Sequence, residues 1–326
     1  MRLSAALDFY ATDRLSDEVF DWGARALQLP GARSHQLFPL VSASVGRGVS
    51  NRGDLARATA LAEAAVDAAA GEHDRGRLVA LHALSAIRLY QGQLEDCMRM
   101  ASEEAELARQ SGDLVAETLA LLHQVLALTY AGDSEAALRM ADSALELAQD
   151  AEVPDVIAWA LYANGEARLD PAPERACELL ERSIGVARSV HNRFAEGVAL
   201  ASLTSVRARH GPAHAALEQF RRVIQHWRRT GDWTHQWTTM RGLVQLLARL
   251  HCHEAAAVLH GAVTASPTAT PVYGSDHERL AVVARGLSTD LGPDRFETAF
   301  EAGAALPREV VVARALDAID EALAFT

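Results

Sequence analysis

Lysine is missing from all 326 residues, so the 31 basic side chains are arginines. That absence excludes a phosphate-loop lysine, a Schiff-base lysine and a lysine general base, and with them the P-loop ATP hydrolases and aldolase-type chemistries. Cysteine is scarce too. Cys97, Cys177 and Cys252 are an odd number, set far apart, which argues for reduced thiols and against a disulfide framework. Aromatic residues make up only 6% of a chain that is 49% hydrophobic, so helices packed closely on alanine are favoured over a thick core of large rings. A basic excess is lacking as well. The formal charge of −12 weighs against general attraction to nucleic acid or an anionic membrane. Uninterrupted apolar runs stay below 18 residues, and Asp8, Asp13, Asp17, Glu18 and Asp21 occupy the first 30, which fits neither a membrane span nor a signal peptide. The expected location is cytoplasmic.

What the chain does have is a period. Ala58, Cys97, Ala137, Ala176, Ala216 and Ala256 form a column of small residues spaced by 39, 40, 39, 40 and 40 positions. Each follows a turn signal by about five residues, from Gly53-Asp54 through Gly92-Gln93, Gly132-Asp133, Asp170-Pro171 and Gly211-Pro212 to His251-Cys252. Fixed periods of roughly 20 to 50 residues mark solenoids, in which each repeat buries a face only by stacking on its neighbours. A second series of breaks falls at Glu72-His73-Asp74, Ser111-Gly112-Asp113, Glu152-Val153-Pro154, His191-Asn192 and Thr230-Gly231-Asp232. Two breaks per period mean two helices per repeat.

Residues 113 to 150 show the unit plainly. Leu114 to Ala131 is apolar on several faces, as in a helix buried on more than one side. Gly132 supplies a left-handed helix end and Asp133 or Ser134 the next N-cap. Ala137, Met140, Ala141, Ala144, Leu145 and Ala148 then recur at three- and four-residue steps, giving one apolar stripe. The N-terminal stretch Leu3 to Leu29 fits less well, with a turn at Asp13-Arg14 and a stripe of Val19, Gly23, Ala26 and Leu27. It opens on an apolar helix with no polar capping repeat. The period stops near Ala265, a loop follows at 266–271, and three helices are expected over 276–289, 293–304 and 307–324. The predicted organisation is a helical repeat array over 1–265, six to seven hairpins with the first one truncated, and capping helices over 272–326.

Gly132-Asp133-x-Glu135-Ala136-Ala137, continued by Ala141 and Ala144-Leu145-Glu146-Leu147, resembles the second helix of a tetratricopeptide repeat. Trp159 matches that repeat's first-helix tryptophan when Asp170 is placed at the turn. The departure is in length, about 40 residues against the usual 34 or so. Longer repeats of this kind resemble the sensor arm of bacterial signal-transduction ATPases with numerous domains, including LuxR-type and maltose-activator-like transcription regulators. The tail Leu291-Gly292-Pro293-Asp294-Arg295-Phe296-x3-Phe300-x2-Gly303-x2-Leu306-Pro307-x-Glu309 is similar to the closing segment of actinobacterial members of that group. The resemblance implies an all-α right-handed superhelix of tetratricopeptide-like hairpins closed by a small C-terminal bundle. It further implies a non-catalytic arm that binds a signal or partner and controls an ATPase, cyclase or DNA-binding module. The chain is then expected to be such an arm cut from a longer regulator, or a family member that has only the arm. A freestanding adaptor and a fragment of an upstream enzyme are the alternatives.

In this register the first helices carry two rows, Ala43, His82, Leu122, Ala160, Ala201 and Arg241, then Arg47, Ala86, Leu126, Asn164, Ser205 and Gln245, and the resemblance implies that both face the concave groove. Polar groups gather at Asn164, Ser205, Arg241 and Gln245, the expected ligand groove, with solvated filler as the competing reading. A ladder of Arg168, Arg209 and Arg249 suits bidentate contact with a carboxylate or phosphate; the bland alternative is that each complements a helix C-terminus. A basic and aromatic patch of Arg221, Arg222, Trp227, Arg228, Trp233 and Trp237 suits internal packing first and a partner surface second, both ahead of single-stranded nucleic acid. His251-Cys252-His253-Glu254 has metal-ligand residue types, but adjacent residues converge poorly on one ion. His210 shares the His251 turn position, and His260 stands where its column packs inside. Glu103, Glu104 and Glu106 read as solvated carboxylates. No catalytic set, metal site or cofactor is expected, and the partners are a protein, a peptide or a small-molecule effector.

Overall fold

A computed structural model describes residues 1–69 and 75–325. The break expected at Glu72-His73-Asp74 lies outside the described residues, and so does the side chain of His210. All regular structure in the described residues is helical. Two compact units divide between Ala199 and Leu200.

The first unit opens with three helices, α1 (Arg2–Ala6), α2 (Asp8–Arg14) and α3 (Asp17–Leu27). Four hairpins follow: α4 (Phe38–Asn51) with α5 (Leu55–Ala68), α6 (Arg75–Tyr90) with α7 (Leu94–Ser111), α8 (Leu114–Ala131) with α9 (Ser134–Ala151), and α10 (Pro154–Glu166) with α11 (Pro173–Ser189). The turn chemistry is that expected. Gly132 adopts φ 87°, a left-handed conformation that costs an L-residue about 1 kcal/mol or more, and the Asp133 carboxylate accepts the Ala136 N–H at 3.1 Å. Asp54 and Asp113 cap α5 and α8 in the same way. The opening segment departs from a repeat hairpin. Its turn falls at Leu15, φ 53°, and its first helix is broken at Leu7 into two short pieces.

The small-residue column is the contact between helices. Ala58, Cys97, Ala137, Ala176, Ala216 and Ala256 are all at most 1% exposed. Burial pushes the Cys97 thiol up to about 12, which leaves it an unreactive packing group. Among the described residues α8 is long and apolar enough to cross a membrane. Here it packs against α7, α9, α6 and α10, which accounts for an apolar surface on several sides.

The division into units falls inside α12 (Arg193–His210). The second unit continues with α13 (Ala213–Thr230), α14 (Trp233–Arg249), α15 (His253–Ala265), α16 (Gly274–Leu291), α17 (Pro293–Ala304) and α18 (Arg308–Phe325). The three terminal helices match the expected spans within two residues. They share one core with the repeat helices, running from Ala208 through Leu217, Phe220, Leu243 and Leu259 to Ile319 and Ala322. The sequence placed the change of structure at 265–272, where the repeat pattern stops; the hydrophobic core continues across that point because α17 packs directly on α15.

That packing explains the tail motif. A Cβ on Gly303 would lie 1.8 Å from the Val258 carbonyl oxygen, and one on Gly261 would lie 2.0 Å from that of Phe300. Both glycines are therefore required where the two backbones touch. Phe296 and Phe300 close over His260, with ring centroids 6.2 and 5.6 Å away. Gly303→Val should part α15 from α17 and destabilise the protein by about 3 kcal/mol, the upper range of overpacking. Ala137→Trp should do the same at the α8–α9 crossing. Melting followed by circular dichroism checks both, and an unchanged midpoint for either would remove that contact as a determinant.

Candidate binding surfaces and a buried polar cluster

The two units carry different charge. Residues 1–199 hold 30 Asp and Glu against 18 Arg, and residues 200–326 hold 13 of each, so the −12 belongs to the first unit. On α9 and α10 this acidity is organised. Arg168 grips both Asp142 oxygens, at 2.8 and 3.0 Å, and Asn164 donates to the same carboxylate at 3.1 Å. The Arg168 guanidinium also donates to the Asn164 backbone oxygen at 3.3 Å and to its side-chain oxygen. Asn164 is buried, Arg168 is 15% exposed, and Asp142 is 60% exposed. The group offered to solvent is thus the carboxylate, held rigid by the two groups behind it. Tyr130 adds a neighbouring link, donating to Glu166 at 3.1 Å.

The other predicted residues are distributed as follows. Ser205 stands against Gly242, where an added Cβ would come within 2.9 Å of its hydroxyl. Arg241 is 3% exposed and gives Nη2 to the Thr270 carbonyl at 2.6 Å, the Thr270 hydroxyl at 2.8 Å and the Pro271 carbonyl at 2.9 Å. It pins the 266–273 loop and is not open to a groove, the physical reason being three acceptors that converge on it from that loop. Gln245 is half-buried on the next turn, its amide 3.5 Å from the Arg241 carbonyl. Arg249 donates to the Arg209 and Gly211 carbonyls at 3.4 and 3.2 Å, so it complements the C-terminus of α12 and not of its own helix. Arg209 is half-buried.

The basic and aromatic patch separates into inside and outside. Trp227 and Trp237 are fully buried, and Trp227 donates to Thr239 at 3.0 Å, so neither is available to a partner. Trp233 is half-buried with the Arg308 guanidinium 4.4 Å over its ring. Arg221 pairs with Glu218 and Asp320, while Arg222 and Arg228 are exposed. The side chains of the histidine-rich turn go to separate partners: His253 lies 3.4 Å from Asp290, and Glu254 lies 3.2 Å from Arg295.

A cluster that the sequence reading missed lies among α2, α4, α6, α7 and α8. His82, Glu104 and His123 bring ligand-type atoms within 4.8 Å of one another. The His82 and His123 rings stack with centroids 4.5 Å apart, and His82 Nδ1 is 3.1 Å from Glu104. Glu104 is 2% exposed, which corrects its reading as a solvated carboxylate. The signal was present: Cys97, Met100, Ala101, Glu104, Ala105 and Ala108 share one helical stripe, and all six are buried. Burial raises the Glu104 pKa, pushes that of His82 down to about 3, and lowers that of His123. Asp8 and Arg47 border the cluster through their charges on His82.

Helix α2 reaches the far end of the first unit. Arg14 donates to the Val190 carbonyl at 2.6 Å, and beside it Asn192 donates to Asp155 at 3.0 Å, where Asn192 and Trp159 also favour the charged form of Asp13. Trp159 itself meets Phe194 and Tyr162 edge to face. Asp13 is pushed up to about 6, by burial first and by Asp155 second, against the opposing charge of Arg47.

No protein-family model and no curated protein matches this chain. Among solved structures it is similar to a Rap protein complexed with competence and sporulation factor, with TM-score 0.57 and 17% identity, covering 98% of this chain and 84% of that one. It is similar to the apo form of RapI, with TM-score 0.50 and 15% identity over 86% of this chain and 98% of that one. A third likeness is to a signal-transduction ATPase with numerous domains from Pyrococcus horikoshii, which has a tetratricopeptide-repeat sensor; TM-score is 0.54 at 15% identity, over 98% of this chain and 50% of that one. This chain therefore spans about half the length of the Pyrococcus protein. The fold is that of a tetratricopeptide-like helical repeat.

Asp13 generates a pH prediction. Its value in the folded chain, about 6, lies above the ordinary 3.8, so between those values the folded chain keeps a proton that the unfolded chain has lost. Its contribution to stability is complete below about pH 4 and disappears as pH rises through 6. The melting temperature of the wild type should accordingly fall relative to that of Asp13→Asn between pH 4 and 7. A difference that stays constant across this range would show that Asp13 does not carry the effect.

Proposed function

We propose that this chain is a non-catalytic sensor and interaction module, and that its first unit recognises a basic protein or peptide segment and so regulates a linked or partner signalling domain. The observation that carries the reading is the Asp142–Asn164–Arg168 network on the unit that holds the entire net charge of −12. A carboxylate fixed by an arginine and an amide loses little side-chain entropy on binding and presents one open edge to an incoming cation or N–H group. The surrounding acidity adds long-range attraction for a basic partner, which speeds encounter and weakens with salt. Solved proteins of the same fold support a regulatory role, one bound to a competence and sporulation factor and another bearing the sensor of a signal-transduction ATPase.

Selection of random peptides on the intact chain, followed by fluorescence anisotropy, tests this. Enriched peptides should carry a net positive charge and lose at least 10-fold in affinity between low and physiological salt. Asp142→Ala and Arg168→Ala should each weaken binding by about 10-fold, the first by removing the contact and the second by releasing the carboxylate from its support. Enrichment of neutral or acidic peptides, or affinities within two-fold of wild type for both variants, would overturn the proposal.

A further inference from the structure

The hydrogen bonds of the buried cluster leave a specific remainder. One Glu104 oxygen meets His82 Nδ1 at 3.1 Å, and Ser85 Oγ meets His123 Nδ1 at 2.7 Å. Glu104 Oε2 and both Asp8 oxygens are buried with no hydrogen-bond partner, in residues 2% and 1% exposed. None of the three has a donor or an acceptor within hydrogen-bond reach. Arg47 is near enough to act electrostatically on His82, Glu104 and His123, yet its guanidinium donates to none of the three oxygens. Buried acceptors without donors are costly, and a cation is the group that satisfies several at once.

We infer that His82, Glu104 and His123, with Asp8 at their border, form a binding site for a divalent transition-metal ion of the zinc class. Two imidazoles and a carboxylate are a donor set suited to such ions, and Asp8 offers a further oxygen. The spacing allows it. An ion equidistant from three atoms at the 4.8 Å limit would sit about 2.8 Å from each, so a closing movement of about 0.7 Å reaches the ~2.1 Å of imidazole coordination. His123 is already oriented for the task. Donating Nδ1–H to Ser85, whose hydroxyl donates onward to the His82 carbonyl at 2.9 Å, leaves the lone pair on Nε2. Burial keeps both rings in the neutral form that ligates metals.

The test uses the full chain without a histidine tag, stripped with chelator and titrated with cobalt(II) and then zinc(II). One equivalent of cobalt should give visible ligand-field bands that zinc abolishes, and bound zinc should raise the melting temperature. His82→Asn and His123→Asn should each weaken zinc binding at least 100-fold and Asp8→Asn about 10-fold, with far-ultraviolet circular dichroism confirming that each variant folds. A His251→Ala/His253→Ala variant should bind zinc as the wild type does. The absence of ligand-field bands in the wild type overturns the inference without recourse to any variant. So does zinc binding that survives in His82→Asn and His123→Asn, or that is lost in His251→Ala/His253→Ala.

Discussion

Everything in this protein depends on how closely one helix backbone can approach the next. The column from Ala58 to Ala256 holds each crossing near contact distance, and no larger residue than cysteine or alanine occurs in it. Dispersion falls off steeply with separation, so many close small-residue contacts take the place of a few large rings. The second unit carries the principle further. At Gly261 and Gly303 even a methyl group is excluded, and the α15 and α17 backbones meet directly. Close packing also has an effect on polar groups. Helices α6, α7 and α8 approach so tightly that two histidines and a glutamate on their inner faces share one small space.

An arginine-only basic complement shapes the surface chemistry. Guanidinium groups bind carboxylates through two parallel N–H donors, and they recur here as connectors between elements. Arg168 joins α10 to α9, Arg52 joins the end of α4 to Asp17 and Asp21 of α3, and Arg241 joins α14 to the 266–273 loop. Exposed pairs such as Arg99–Asp96 contribute at most about 1 kcal/mol each. The half-buried ones matter through geometry. Each fixes the orientation of an acid or a carbonyl that would otherwise be free to rotate.

The repeat helices were legible because the signals that set them are local. A glycine in the left-handed region, an aspartate on the following N-terminus and an apolar residue every three or four positions need no distant partner to be understood. The terminal helices were legible for the same reason, with Pro293 in the first turn of α17. Burial by distant elements was harder to see. Arg241 looks like a surface group by residue type and Trp227 stands among arginines, and only the 266–273 loop and the Trp227–Thr239 contact show why they are inside. Glu104 was hidden by its neighbours Glu103 and Glu106, which do lie outside the apolar stripe. The partnership of His82 with His123 escaped because the two stand 41 residues apart, one position out of register with the row that includes Leu122.

The Arg14–Val190 hydrogen bond joins residues 176 positions apart in a unit otherwise built from neighbour-to-neighbour packing. A chain synthesised from its N-terminus can form each repeat hairpin soon after that hairpin emerges, since the contacts are short-range. Helix α2 meets α3 and α4 early, but its long-range anchors come late. Its anchors at Trp159, Val190 and Asn192 come into existence only after four hairpins have been made, so the earliest part of the first unit is the last to reach its place. Completion of this unit is thereby coupled to the fourth hairpin, and a nascent chain that stalls before it leaves the Arg14 guanidinium and the Asp13 carboxyl without their anchors.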